Sequence, residues 1–196
     1  SLSTDGTTVA IGSHYNDGPN GTDSNIGLVR VYQYSSSDNS WNQLGSDIYG
    51  EEPNSSDQSG YSISLNSDGT ILGVVARGNA VNGYSGLLRV YQYSNSSWSQ
   101  LGSDIDADAV LNMFGNSSVS LSDDGTILAF GSPTNNSFAG HVRIYQYSSS
   151  DVSWNQIGAD IDGEVGGERS GYSVSLSSDG TIVSIGVERH GTNFGG

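Results

Sequence analysis

Apolar and polar residues alternate along much of this chain with a period of two. In the run YSISL, at positions 61–65, Tyr61, Ile63 and Leu65 alternate with serines, which is typical of a half-buried β-strand. The next run, TILGVVA at 70–76, is apolar at nearly every position, as a strand buried on both faces should be. The runs GLLRVYQYS (86–94) and SWSQLGSDI (97–105) follow and are also strand-like. Since no segment shows a helical period, the pattern predicts an all-β protein.

Three landmarks recur along the chain in a fixed order. The motif SLSxDGT and its variants occupy 1–7, 64–70, 120–126 and 175–181, and the word R-V/I-Y-Q-Y begins at Arg30, Arg89 and Arg143. The third landmark is a tryptophan, Trp41, Trp98 and Trp154, with spacings of 57 and 56 residues (98 − 41 and 154 − 98). A fixed period of this length indicates a repeat architecture.

Each repeat contains four strand-like runs, which is what one blade of a β-propeller needs. We therefore predict four-stranded antiparallel blades, in about 3.5 repeats of about 56 residues. The expected units are a partial blade with the last three strands, two complete blades, and a partial blade with the first two strands: residues 1–50, 58–108, 113–163 and 169–196. Such an arc leaves apolar faces uncovered at both ends, so we expect a partial propeller or part of a larger assembly. The expected partners are further repeats or other copies of the same chain.

The tryptophans and arginines at equivalent repeat positions have two interpretations each. Large aromatic residues with one polar handle are expected to pack between blades, and the alternative is a platform for sugar binding. Arg30, Arg89 and Arg143 are expected to pair with an aspartate of the DGT turn or of the DI segment, and the alternative is a ring that binds anions.

The charge balance excludes several classes of function. The chain has 21 acidic residues, 6 basic residues, all of them arginine, and a net charge of -15. This balance argues against binding to nucleic acid or to an anionic membrane. The absence of cysteine excludes disulfides and thiolate metal sites, and no apolar run is long enough to insert into a membrane.

The third repeat resembles the FG-GAP repeats of integrin-α-type β-propellers. It contains Phe114-Gly115, then SVSLSDDGTILAFGSP at 118–133, in which Gly131-Ser132-Pro133 stands in place of GAP, and then GHVRIYQY at 140–147. The resemblance implies a propeller of the divergent type found in large secreted or surface proteins of marine microbes. Integrin-type blades often carry a calcium loop between their first two strands. Here that connection is a tight Asp-Gly turn, which cannot supply the six to eight oxygens that calcium takes.

Signals for catalysis are sparse, and no catalytic residue is predicted. His14, His141 and His190 fit no metal-binding spacing; each is interpreted as a solvated loop residue, with a lone functional histidine as the alternative. Alternating acids at the ends of strands are candidates for weak calcium binding, with solvated surface acids as the alternative interpretation. These candidates are Asp104, Asp106, Asp108, Asp160 and Asp162. Calcium is the one cofactor considered.

Five sequons of the form Asn-x-Ser/Thr are candidates for glycosylation. They begin at Asn20, Asn54, Asn95, Asn116 and Asn135. Most fall in loops between predicted strands, where a glycan can be accommodated.

The sequence favours a non-enzymatic module, extracellular or at the cell surface, that serves adhesion or builds a fibrous assembly. The alternative is a propeller that binds carbohydrate or surface proteins through the loops between its strands. A fragment of a propeller enzyme is the third interpretation, for which the sequence offers no constellation of residues.

Overall fold

The computed structural model describes residues 1–51, 56–79, 85–106 and 117–189, apart from the side chains of residues 79 and 85. Within these ranges the protein is built almost entirely of strands. They are β1 (Thr8–Ser13), β2 (Leu28–Ser35), β3 (Ser40–Gln43), β4 (Ile48–Tyr49), β5 (Ser59–Leu65), β6 (Ile71–Asn79), β7 (Ser85–Ser94), β8 (Ser97–Gln100), β9 (Ile105–Asp106), β10 (Ser118–Leu121), β11 (Ile127–Ser132), β12 (His141–Ser148), β13 (Ser153–Asp162), β14 (Ser170–Leu176) and β15 (Val183–Val187). One short helical turn, α1 (Asn135–Phe138), lies between β11 and β12. None of the described helices could span a membrane.

The strands form four antiparallel sheets that follow the repeats in order. The first sheet is β1-β2-β3, with β4 also paired to β2, and the second is β5-β6-β7-β8, with β9 paired to β7. The third sheet is β10-β11-β12-β13 and the fourth is β14-β15. The prediction of an all-β fold with antiparallel, propeller-type sheets is therefore confirmed. The exact boundaries of the four units stay a prediction.

Serine hydroxyls join the first strands of neighbouring repeats. The backbone N–H groups of Val119 and Leu121 donate to Ser62 Oγ and Ser64 Oγ, at 3.3 and 3.1 Å. The N–H of Leu176 donates to Ser120 Oγ in the same way, at 3.0 Å. The serines that alternate with apolar residues in this strand therefore satisfy backbone donors of the next sheet. This explains why the polar positions are small hydroxyl residues, since the strands must approach closely.

The Asp-Gly turns differ from the tight two-residue hairpin that the sequence suggested. Only the glycines have positive φ, for example +73° at Gly6 and +71° at Gly125. The connection is longer, because Ser3 N–H donates to the Thr8 carbonyl around it. The Asp5 carboxylate accepts bonds from the Thr7 N–H and from the hydroxyl groups of Ser3 and Thr7. The aspartate is thus a fixed part of the turn.

Within the described residues, the core consists of two apolar clusters, each lying between adjacent sheets. One lies between the first and second sheets and includes Val29, Val31, Leu72 and Val74. The other lies between the second and third sheets; it includes Val75, Leu88, Leu128, Phe130 and Trp154. The second sheet, which has a cluster on each face, is therefore buried on both faces, and this explains the apolar run at β6.

The three tryptophans are equivalent in their sheets but not in burial. Each contacts the second tyrosine of the preceding YQY word, with ring centroids 5.2 to 5.5 Å apart. Trp154 is 9% exposed and belongs to the core, whereas Trp41 is 47% exposed. The expectation that all three pack between blades is thus wrong for Trp41, because no sheet of the described chain precedes the first one.

Candidate functional site

The repeated arginines each form a two-bonded ion pair with an aspartate of the same repeat. Arg30 Nε and Nη2 donate to Asp47 at 2.9 and 2.8 Å, and Arg143 donates to Asp160 at the same two distances. Arg89 pairs with Asp104 at 3.0 and 3.1 Å. These aspartates belong to the DI segment that ends each repeat.

Two of the ion pairs keep their carboxyl groups charged. Hydrogen bonds from Arg30 lower the pKa of Asp47 to about 2. The Arg143 guanidinium likewise lowers the pKa of Asp160 to about 2. These two pairs therefore carry fixed charges at any ordinary pH. They join β2 and β12 to the DI segments that end their repeats.

His141 breaks the repeat pattern beside the third ion pair. It begins β12, two residues before Arg143, where the first and second repeats have Leu28 and Leu87. Like the leucines it is buried, at 3% exposed. Its Nδ1 atom lies 4.0 Å from Asp160 Oδ2, and its partner across the sheet is Asp162. A buried imidazole thus lies next to two acidic residues.

A cavity opens next to this group. It has a volume of about 310 Å³. Its lining comes from the end of β13, the connection to β14, the start of β14, and β15: Asp162, Gly163, Glu164, Glu168, Ser170, Ile185 and Val187. Asp162 is exposed and belongs both to the lining and to the His141 group. The Glu168 carboxylate accepts bonds from the N–H groups of Glu164 and Val165, which holds this wall in place.

His141, Asp160 and Asp162 each offer one donor atom within 4.8 Å of the others, which is a spacing that could hold a metal ion. Two of these residues are calcium candidates from the sequence. However, Asp160 already accepts two bonds from Arg143 and a third from Gln156 at 2.7 Å. Because a guanidinium beside the site repels a cation, the arrangement fits a fixed charge network better than a metal centre.

The remaining sequence candidates do not converge on one site. Asp104 is the partner of Arg89, Asp106 is exposed, and Asp108 lies outside the described residues. Among the sequons, Asn20 and Asn95 are exposed and Asn135 begins α1. Asn54 and Asn116 lie outside the described residues, as does His190. The ring of His14 packs against Tyr15 and Tyr61.

The His141 group is the feature that sequence reasoning missed. The expectation of a solvated loop histidine is wrong for His141, which is buried at the start of a strand. Aligning the three repeats would have shown it, because the position two residues before the repeated arginine is leucine in the first two repeats and histidine in the third. When one repeat has a buried polar residue where the others have an apolar one, packing alone does not explain the choice of side chain.

Comparison with solved structures places the chain among β-propellers. The periplasmic gluconolactonase PpgL of Pseudomonas aeruginosa is 16% identical, with a TM-score of 0.60 over 94% of this chain and 48% of that one. A protein provisionally named a 6-phosphogluconolactonase, from Bacteroides uniformis, is 13% identical, with a TM-score of 0.59 over 93% and 45%. TolB of Acinetobacter baumannii is 15% identical, with a TM-score of 0.50 over 94% and 36%. This chain spans less than half the length of each. No family model and no curated protein matches it.

These similarities correct the functional expectation from the sequence. The sequence favoured a non-enzymatic module for adhesion or assembly, with a propeller that binds carbohydrate or protein as the alternative, because no stretch of the chain identifies a reaction. Solved propellers of this arrangement include proteins named for lactone chemistry, so that expectation is wrong. Residues that recur in every repeat indicate the fold, whereas a catalytic group needs only one or two residues that differ from the repeat.

Proposed function

We propose that the chain forms part of a β-propeller hydrolase that opens sugar-derived lactones at the His141 group. One observation carries the proposal: a buried histidine replaces a repeated leucine, and its acidic neighbour Asp162 lines a cavity. The names of the two lactonase-like solved structures support the choice of substrate class.

The arrangement suits the chemistry of ester hydrolysis. A water molecule adds to the lactone carbonyl, the ring C–O bond breaks, and the proton from water ends on the released hydroxyl oxygen. Asp162, at the cavity, would accept the proton from water, and His141 behind it would share that proton. Asp160, held ionised by Arg143, supplies the negative charge that orients the imidazole and stabilises its charged form.

The charge of the cavity selects among lactones. Asp162, Glu164 and Glu168 all line it, and the chain carries a net charge of -15. A phosphorylated sugar lactone would be repelled by these carboxylates. The proposed substrate is therefore a neutral aldonolactone.

We also propose that the third repeat is related to FG-GAP repeats. Gly131 of the Gly-Ser-Pro word lies against the backbone of Gly171 in the fourth sheet, and a Cβ there would collide with that carbonyl. A glycine at this position is thus required by the joint between sheets. This supports a shared blade design and says nothing about calcium.

The repeats supply the variants that test the proposal. His141→Leu and Asp162→Tyr each install the residue that another repeat carries at that position, Leu87 and Tyr49, so both variants are expected to fold. Hydrolysis of glucono-1,5-lactone above the uncatalysed rate would be followed at constant pH. We expect each substitution to lower that rate by roughly 10²-fold or more.

Asp106→Tyr is the matched control, because Asp106 occupies in the second repeat the position of Asp162. It should leave the rate unchanged, and the 6-phosphate of the same lactone should be a poorer substrate. No hydrolysis by the parent chain, or equal rates for the parent and His141→Leu, would refute the proposal.

A further inference from the structure

One face of the third sheet is uncovered where the equivalent faces of the first two sheets are buried. Ile161, near the end of β13, is 40% exposed, whereas Ile48 and Ile105 at the same repeat position are 7% and 6% exposed. A groove of about 530 Å³ lies over this face. Its lining includes Ile127, Ile144, Ile157, Gly158, Ile161 and Thr181. An apolar surface that is buried twice within one chain is thus open in its third copy.

Gly158 lies in the groove at the position where earlier repeats receive a tryptophan. A Cβ built on Gly45 would lie 2.7 Å from Trp98 Cδ1, and one built on Gly102 would lie 2.9 Å from Trp154 Cδ1. A Cβ built on Gly158 meets nothing within 4 Å. Each earlier glycine is therefore the floor of an indole site, and Gly158 is the floor of an open one.

The backbone around Gly158 repeats the acceptors of the two occupied sites. The indole N–H groups of Trp98 and Trp154 donate to the carbonyl oxygens of Leu44 and Leu101, both at 2.8 Å. The residue equivalent to Leu44 and Leu101 is Ile157, directly before Gly158. An incoming indole would find the same acceptor here.

A second acceptor lies at the turn of the fourth repeat. The N–H of the second tyrosine of each YQY word donates to the threonine carbonyl of the DGT turn: Tyr93 to Thr70 at 2.8 Å, and Tyr147 to Thr126 at 2.9 Å. Thr181 is the equivalent threonine of the last turn and lines the groove. A further strand with a YQY word, bonded to Thr181 in this way, would lie beside β15.

In the described part of the chain, β15 also lacks a partner on the side where its equivalents β1, β6 and β11 pair with β2, β7 and β12. In the second and third sheets the strands β6 and β11 each pair on both sides, with β5 and β7 and with β10 and β12. Within the described residues, β15 pairs only with β14. An open edge presents unpaired backbone groups to a further strand.

We propose that this face binds a β-hairpin of the repeat's own kind. The hairpin consists of an Arg-Val/Ile-Tyr-Gln-Tyr strand that pairs with β15 and a second strand whose tryptophan lies on Gly158. Its source is a polypeptide segment that continues the repeat after β15. The hairpin that carries the exposed Trp41 is β2-β3, and its strand β2 is already paired with β1, the equivalent of β15. This hairpin cannot also pair with β15 of another copy, so a second copy of this chain fits less well.

The test uses the full chain and a synthetic peptide with the sequence of residues 85–106, carrying 5-fluorotryptophan in place of the tryptophan. Binding would be followed by the fluorine resonance and by the melting temperature of the chain. We expect the resonance to shift and the melting temperature to rise. Replacing the peptide's tryptophan by alanine should weaken binding about 30-fold or more.

Gly158→Asn places a side chain on the floor of the indole site. Asparagine tolerates the φ of +75° at this position, so the chain should still fold. The matched control is Gly6→Asn at the opposite end of the array, since Gly6 has a φ of +73° and also meets nothing within 4 Å. Loss of peptide binding in Gly158→Asn and its retention in Gly6→Asn would support the proposal.

Fusion of the same segment after Gly196 provides a second measurement if the free peptide is too weak a ligand. The fused chain should unfold at a higher temperature than the parent, and Gly158→Asn should abolish the gain. The proposal is overturned if neither the peptide nor the fusion stabilises the chain. It is also overturned if the parent chain forms a dimer by sedimentation that Gly158→Asn dissociates, because a second copy would then cover this face.

Discussion

The indole N–H of Trp154 donates a 2.8 Å hydrogen bond to the carbonyl oxygen of Leu101, which lies 53 residues earlier in the chain. Trp98 makes the same bond to Leu44, 54 residues earlier. The bond satisfies the one polar atom of a large buried ring and fixes the register of one sheet against the next. It is thus one joint between neighbouring repeats, beside the serine bridges and the apolar clusters.

This joint predicts different costs for the same substitution at equivalent positions. Trp154→Ala should lower the free energy of unfolding by about 3 to 5 kcal/mol, because a buried ring is lost and a cavity remains. Trp41→Ala should lower it by less than about 1 kcal/mol, since Trp41 is 47% exposed. Urea unfolding of the two variants measures the difference. Equal costs would mean that Trp41 is covered in solution.

The serine bridges between first strands predict a second cost. Ser120→Ala removes the acceptor of the Leu176 N–H and leaves a donor between closely packed strands without a partner. The expected loss is about 1 to 3 kcal/mol. Ser184→Ala is the control, because Ser184 is exposed and its hydroxyl bonds only weakly to Ser175 at 3.3 Å. A loss as small as that of the control would show that water replaces the bridging hydroxyl.

Much of the fold was predictable because the repeats report on one another. The period, the strand order and the antiparallel sheets all follow from words that recur in the sequence. The exposure of Trp41 does not follow, because a repeat identifies equivalent positions but not whether a neighbouring sheet is present. The bridging role of Ser62, Ser64 and Ser120 was equally hidden, since a serine on a polar strand face looks the same whether it meets water or another backbone.

The Arg143–Asp160 pair predicts how stability responds to acid. The pKa of Asp160 is lowered to about 2 in the folded chain from an ordinary value of 3.8. A lowered folded pKa favours the folded state above the unfolded pKa, and this contribution is lost as the pH falls through the folded value. Stability should therefore decline between about pH 4 and pH 2.

Arg143→Gln should weaken that decline and raise the pKa of Asp160 towards its ordinary value. Titration of the Asp160 carboxyl by carbon NMR in both proteins measures the shift. The Arg30–Asp47 pair, which also lowers its carboxyl pKa to about 2, is the internal control within the same spectra. An unchanged Asp160 titration in Arg143→Gln would show that the guanidinium is not the cause.

The candidate site was far less predictable than the fold. A single histidine outside any motif carries no signal when sequence positions are considered one at a time. Asp160 and Asp162 were visible in the sequence as alternating acids, and their alternation suggested calcium binding. In the folded chain, Asp160 instead forms an ion pair with Arg143. The connection between them and His141 exists only because β12 and β13 pair, which brings His141 opposite Asp162.

The last prediction separates a structural role of His141 from a chemical one. Leucine occupies the same position at Leu28 and Leu87, where it is 4% and 1% exposed. His141→Leu should therefore leave the free energy of unfolding unchanged or raise it by about 1 kcal/mol, because an apolar side chain replaces a buried polar one. His141→Ala should lower it by about 2 to 3 kcal/mol through the cavity it leaves. Both variants should lose lactone hydrolysis to the same extent, so that stability and activity respond in opposite ways to leucine. If His141→Leu instead destabilises the chain as much as His141→Ala does, the imidazole is needed for folding, and its departure from the repeat gives no reason to assign it chemistry.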